Sequence, residues 1–511
     1  MLPLVLALAV LAGGTPAYAW SYPAALNTNA ATDSGIDFSP QVTTDGAGNW
    51  VAVWESNDSL GSTIGGDFDI LVARSTDYGA TWTAPAALNT NAATDSGDDV
   101  EPQVTTDGAG HWVAVWMSLD NLGGTIGGDG DILVARSTDN GATWTAPAAL
   151  NTNAATDSGL DWYPQATTDG GGNWLAVWTS LDNLGGTIGE DYDILVARST
   201  DNGATWTAPA ALNANAATDS GWDEDPQVTT DGGGNWLAVW DSNENLGGTI
   251  GTDYAILVAR STDNGATWTA PAALNTNAAT DWGDDKHPQV TTDGAGHWVA
   301  VWSFGHFYPP HTWEEKNILV ARSTDNGATW TAPAPLNTNA ATDWGWDVDP
   351  QVTTDGGGNW VAVWQSAENL GGTIGTDDDI QVARSTDNGA TWTAPAALNT
   401  NAATDSGGDW LPQVTTDGAG NWLAVWYSWD SLGGTIGWDY DILYATEYIS
   451  PYPSVGGVVE MRVDDSGPAV GVSADSSGAS AGRNYIALAA LAAALVALGA
   501  GGWYARRRWV R

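Results

Sequence analysis

Between Pro40 and Ala445 the apolar positions fall into short blocks that recur in one order. An alternating PQVTTD stretch reaches an Asp-Gly turn and continues as the denser block NWVAVW. A polar loop then leads to DILVARS, and a second tight turn to TWTAPAALN. Short blocks rich in Val, Ile, Thr and Trp, punctuated by Gly, Asn and Asp, predict four β-strands per unit. The PQ dipeptide opens at Pro40, Pro102, Pro164, Pro226, Pro288, Pro350 and Pro412, each 62 residues after the last, as from 40 to 102. So constant a period marks an architecture in which each unit buries its faces against its neighbours.

The phase of the two ends gives the number of units. The last unit, Pro412 to Ala445, holds only three strands, because ATEYISPYPS stands where the second tight turn is expected. The missing strand lies at the start, where Trp20 to Asn27 (WSYPAALN) aligns with Trp82 to Asn89 (WTAPAALN), again 62 residues apart. The expected fold is therefore all-β: a seven-bladed β-propeller of four-stranded antiparallel blades over residues 20–446, closed by an N-terminal strand that leaves no long exposed edge.

The second turn reads STDNGATW from Ser137, Ser199, Ser261, Ser323 and Ser385, and STDYGATW from Ser75. This resembles the Asp-box, or BNR repeat, of sialidase-like β-propellers, where it forms the hairpin between the third and fourth strands of a blade. The resemblance implies a structural role for Asp77, Asp139, Asp201, Asp263, Asp325 and Asp387, whose carboxylates can accept backbone N–H bonds within their own turns. It also sets a test. Sialidases of this kind use an arginine triad, a tyrosine nucleophile paired with glutamate, and an aspartate acid/base. The propeller arginines here are Arg74, Arg136, Arg198, Arg260, Arg322 and Arg384, one per repeat beside the Asp-box. That places them opposite the variable loops, so no catalytic residue is assigned. Hydrolysis of a neutral sugar by two carboxylates is the enzymatic alternative.

Repeats this alike expose what varies. Variation concentrates in the four residues before each PQ and in the loop joining second and third strands, two segments that emerge on one face of a propeller. Nine tryptophans outside the common scaffold fall there: Trp162, Trp222, Trp282, Trp313, Trp344, Trp346, Trp410, Trp429 and Trp438. Aromatics present in some copies and absent from others are not demanded by the core. They suit stacking on sugar rings or anchoring a surface protein. Repeat five adds Lys286, His287, His306 and His311, candidates for ligand contact, proton transfer or metal binding. Five loops carry Asp-x-Asp pairs (Asp67/Asp69, Asp129/Asp131, Asp191/Asp193, Asp377/Asp379, Asp439/Asp441). They are compatible with calcium but lack the dense spacing of a calcium loop, and read as solvated acidic loops. No other cofactor is expected.

Composition narrows the partners. Of 511 residues none is cysteine, and the formal net charge of −47 opposes binding to nucleic acid. The apolar start ending in Ala17-Tyr18-Ala19 predicts a signal peptide over 1–19. A Gly/Ser/Asp-rich stalk over 447–484, a transmembrane helix over 485–504 and a basic tail over 505–511 predict anchoring in the protein's own membrane, with the N-terminus outside. The expected protein is a monomeric, membrane-anchored ectodomain that binds a glycan or surface partner without catalysis. A structural or adhesion role in the envelope is a further alternative.

Overall fold

The computed structural model describes residues 19–307, 314–342 and 345–448. All but the last residue of the expected signal peptide, all but the first two of the expected stalk, and the whole of the expected transmembrane helix and basic tail lie outside these, as do His311, Trp313 and Trp344; among the described residues no helix is long and apolar enough to cross a membrane.

Residues Trp20–Tyr448 form seven four-stranded antiparallel sheets. Numbering blades in chain order and strands a to d outward from the central channel, blade 1 comprises Asp37–Thr44, Trp50–Ser56, Asp69–Ser75 and Ala86–Ala87. Blade 7 comprises Asp409–Thr416, Asn421–Ser428 and Asp441–Tyr448, and takes Ala24–Ala25 as its d strand. Ala24 pairs with Tyr444 and Ala25 with Leu443, which closes the ring as the phase of the repeats requires. The last strand runs past the expected boundary at residue 446. Glu447 is fully buried and ion-paired with Arg384, so it belongs to the blade and not to a stalk.

Strand b explains why the ring packs. All of Trp50–Ser56 is buried, because a propeller blade is covered on both sides, so an apolar run replaces simple alternation. The pleat still sorts it: Trp50, Ala52 and Trp54 share one side, Val51 and Val53 the other. Val51 and Val53 pack with Ile70 and Val72 against Trp112, Ala114 and Trp116 of blade 2. The same joint closes the ring, with Leu423 and Val425 of blade 7 against Trp50, Ala52 and Trp54. Each buried indole removes roughly 200 Å² from water, about 5 kcal/mol gross at ~25 cal/mol per Å². A polar clamp fixes each joint: the Asn89 amide donates to Asp69 Oδ1 of its own blade and Asp99 Oδ2 of the next, both at 2.7 Å.

Strand d is shorter than the sequence pattern suggests, two residues in each blade. Pro85 removes a ladder donor next to it, which suits an outer edge. The Asp-box turns form as expected. Asp77 Oδ1 accepts from the Thr81 N–H at 2.9 Å and from the Ser75 hydroxyl at 2.8 Å, and Gly79 takes φ +80°. These turns lie at the end of the ring occupied by the Thr-Asp-Gly turns, opposite the b–c loops, and the arginines join them there: Arg74 donates to Asn140 O of the next Asp-box at 3.2 Å.

Candidate functional site

The channel ends in two unlike mouths. One is a ring of seven identical Thr-Asp-Gly turns, from Thr44–Gly46 to Thr416–Gly418. Each Asp caps its own turn, as Asp45 Oδ1 does by accepting from Ala47 N at 2.8 Å and Asn49 N at 3.1 Å. The other opens into a cavity of 530 Å³ lined by the residues before and after each proline of the PQ motif.

At that second mouth every a strand bulges. The residue just before the proline has a positive φ in all seven blades: Ser39, Glu101, Tyr163, Asp225, His287, Asp349 and Leu411, between +47° and +57°. None is glycine, and each such residue costs roughly 1–2 kcal/mol against its relaxed conformation. The bulge turns the side chain toward the channel. Its backbone N–H is held by the b strand of the preceding blade in several places: Glu101 N donates to Glu55 Oε2 at 2.6 Å, His287 N to Asp241 Oδ1 at 3.2 Å, and Asp349 N to the Ser303 hydroxyl at 3.2 Å. The sequence reading had the variable segment but missed that its last residue forms the channel wall. The available signal was that this one position differs in almost every copy.

Blades 4 to 6 make the charged sector of the wall. His287 Nδ1 lies 2.8 Å from Asp349 Oδ1, and Nε2 3.6 Å from Asp225 Oδ2, so one imidazole bridges three blades. Partial desolvation opposes its protonation, but the hydrogen bond and charge of Asp349, with Asp225 and Asp241, raise it to about 9. The carboxylates on either side thus favour the imidazolium form, held between blades 4 and 6. Lys286 sits over the Tyr254 ring at 3.2 Å and pairs with Asp241 at 3.5 Å and Glu224 at 3.9 Å. Lys286 and His287 thus find partners beyond their own blade, and His311 lies outside the described residues. These partners come from blades 4 and 6, while His306 belongs to a b strand extended to Trp298–Phe307 and pairs through its backbone with Glu315. Across the channel Glu101, driven up to about 7 by burial and by the charges of Glu55 and Asp225, accepts from Tyr163 N at 2.9 Å.

The predicted tryptophans divide into two rims and some outliers. At blades 7 and 1, Trp410 stacks on Tyr427 (5.3 Å between centroids, 26°), and Tyr440, Phe38 and Trp429 complete the cluster. The Trp429 indole donates to Trp438 O at 3.1 Å, and both rings face solvent, 48% and 79% exposed. At blades 3 and 4, Trp162, Tyr163, Tyr192 and Trp222 form a second cluster. Trp346 lies beside Lys316, 5.6 Å from the ammonium to the ring centroid, and Trp282 projects alone at 86% exposure. Trp162 and Trp410 are half-buried, so they support the rims more than they face water.

The Asp-x-Asp pairs are not the solvated loops expected. The second Asp of each is enclosed: Asp69, Asp131 and Asp379 are 0% exposed, Asp193 and Asp441 1%.

Residues 110–345 match the model of the BNR repeat-like domain. No curated protein matches the chain. Among solved structures, a Dyadobacter fermentans protein of unknown function is 14% identical, over 85% of this chain and all of that one, with a TM-score of 0.46. An α-L-arabinofuranosidase of Fusarium graminearum in complex with arabinobiose is 16% identical over 68% of this chain and 92% of that one, TM-score 0.43. A Hadza microbial sialidase is 16% identical over 71% of this chain, which spans 66% of that protein's length, TM-score 0.39.

Proposed function

We propose that this propeller of Asp-box repeats, with all six propeller arginines at the end away from its variable mouth, is a non-catalytic binding protein that reads a neutral glycan at that mouth. The observation that carries this is the exposure of large aromatics in segments free to vary: Trp222, Trp346, Trp429 and Trp438 leave 49%, 54%, 48% and 79% of their surface open. Indole faces stack on the C–H faces of sugars, and the Asp, Asn and Thr around them supply hydroxyl partners. The acidity of the mouth disfavours anionic sugars. Display outside the cell, with residues 485–504 as anchor, fits the terminal sequences and belongs to the same proposal.

A glycan array probed with the full chain tests it. Binding to neutral glycans is expected, with about a tenfold loss of affinity for Trp429→Ala/Trp438→Ala, roughly 1.4 kcal/mol, and no change in melting temperature. Absence of binding by the parent chain to any neutral glycan overturns the glycan reading. One observation favours a second reading, hydrolysis: Glu101, raised to about 7 near Glu55, has the protonation a general acid needs. Sugar release from a neutral polysaccharide, abolished by Glu101→Gln, decides for it.

A further inference from the structure

One trio of carboxylates recurs at five blade junctions, its ligand oxygens all within 4.8 Å of one another. Asp67 and Asp69 of blade 1 meet Asp95 of the connection into blade 2. The arrangement repeats after blades 2, 3 and 6, and in a variant at the closing junction, where Asp33 and Asp37 meet Asp441. Oxygens around a single calcium ion, each ~2.4 Å from it, lie no more than about 5 Å apart.

Carboxylates gathered at a surface mean little alone; here each trio holds an enclosed member, and its buried oxygens are unsatisfied. Asp69 is 0% exposed, and its Oδ1 is used by the Asn89 clamp, but its Oδ2 is buried with no hydrogen-bond partner. Asp67 Oδ2 and Asp95 Oδ1, on the other two arms of the trio, are likewise buried and without partners. The enclosed Asp131, Asp193, Asp379 and Asp441 repeat the pattern, each with a partnerless Oδ2. The charges that act on Asp69 and Asp95 are those of other carboxylates, Asp67 and Asp120 besides each other, and no basic side chain pairs with them among the described residues. Orphaned buried oxygens cost free energy unless something outside the chain satisfies them.

The molecule contains its own control. In blade 4 alanine occupies the enclosed position, as Ala255, while Asp253 and Asp281 are retained. There neither Asp keeps a buried oxygen without a partner. At this position of the blade, then, the partnerless oxygens accompany the complete trio. The first carboxylate folds back toward the joint in complete and incomplete trios alike: a Cβ on Gly65 would sit 2.2 Å from Asp67 Oδ1, and one on Gly251 2.2 Å from Asp253 Oδ1, so glycine is what permits it.

We propose that each complete trio binds one calcium ion, which ties the b–c loop of one blade to the connection entering the next. Carboxylate oxygens from separate loops are the hard, flexible donor set that calcium takes in preference to magnesium, which demands a tighter octahedron. The ions would brace the same two segments that carry the aromatic rims.

The full chain, stripped with chelator and followed by equilibrium dialysis and by calcium titration calorimetry, should take up five calcium ions, one for each trio. Its melting temperature should rise with calcium and not with sodium at matched ionic strength. Asp69→Asn should lose one ion. Ala255→Asp should gain one, by completing a trio with Asp253 and Asp281, and this variant keeps the test decisive should Asp69→Asn fail to fold. Uptake of no calcium at millimolar concentration, or an unchanged stoichiometry in Ala255→Asp, overturns the proposal.

Discussion

The two mouths of the channel are built on the same seven a strands, yet one is identical in all blades and the other differs in nearly every one. At the Thr-Asp-Gly mouth each acceptor is satisfied within its own turn, as Asp45 is by Ala47 and Asn49. At the opposite mouth the bulged residues depend on side chains from another blade, as Glu101 does on Glu55 and Asp349 on Ser303. Local closure lets a turn be copied unchanged. Closure across blades lets each wall residue be chosen with its neighbour, and that is where chemical individuality accumulates.

Substitutions can sharpen or break this contrast. The largest effect belongs to the lattice between the mouths. Trp116 is fully buried and its indole donates to Asp99 Oδ1 at 3.0 Å, so Trp116→Ala should cost about 3–5 kcal/mol in denaturant unfolding. The equivalent Trp364 is also fully buried and donates to Asp347 Oδ1 at 3.1 Å, so Trp364→Ala should cost the same within about 1 kcal/mol, and a wider gap would mean the blades are not interchangeable. Next comes the invariant end. Thr205, through its N–H and hydroxyl, and Ser199 hold Asp201 down at about 2. Asp201→Ala should cost about 1 kcal/mol. The folded value lies below the unfolded one of 3.8, so this contribution is present above about pH 4 and fades as pH falls through about 2.

The smallest effect is at the variable mouth. His287 rises from 6.5 to about 9 on folding, so its pairing with Asp349 stabilises fully below pH 6.5 and is lost as pH rises through about 9. Its side chain keeps 47% of its surface exposed, and screening reduces the gain to a small shift in melting temperature. His287→Gln should flatten the pH dependence of melting between 6.5 and 9 and leave stability at pH 10 unchanged. An undiminished pH dependence would place the titrating group elsewhere.

How much of this could be read from the chain follows from the range of each interaction. The Asp-box turns were legible because serine, aspartate, glycine and threonine contact one another within a few residues, as in Ser75 to Thr81. The Trp-Val-Ala-Val-Trp strand was legible because its burial on both sides is written in its composition. The left-handed ring was not: Leu411, Tyr163 and Glu101 carry no local preference for positive φ, and the bulge is imposed by packing around the channel. The acidic trios were half legible. Asp67 and Asp69 stand together in the sequence, but Asp95 reaches them only because the connection to the next blade folds back over the joint.

The sequence by itself determined the number of blades, the closing strand and which face varies, because a fixed period and its phase survive any detail of packing. Only the tertiary structure decided which variable residues line the channel, that Asp225, His287 and Asp349 meet, and that enclosed carboxylates converge at the junctions. Those contacts join residues 26 positions apart, as Asp69 and Asp95 are, or 62, as His287 and Asp349 are, across blades whose separation is set by the shape of the ring, and no local pattern encodes that distance.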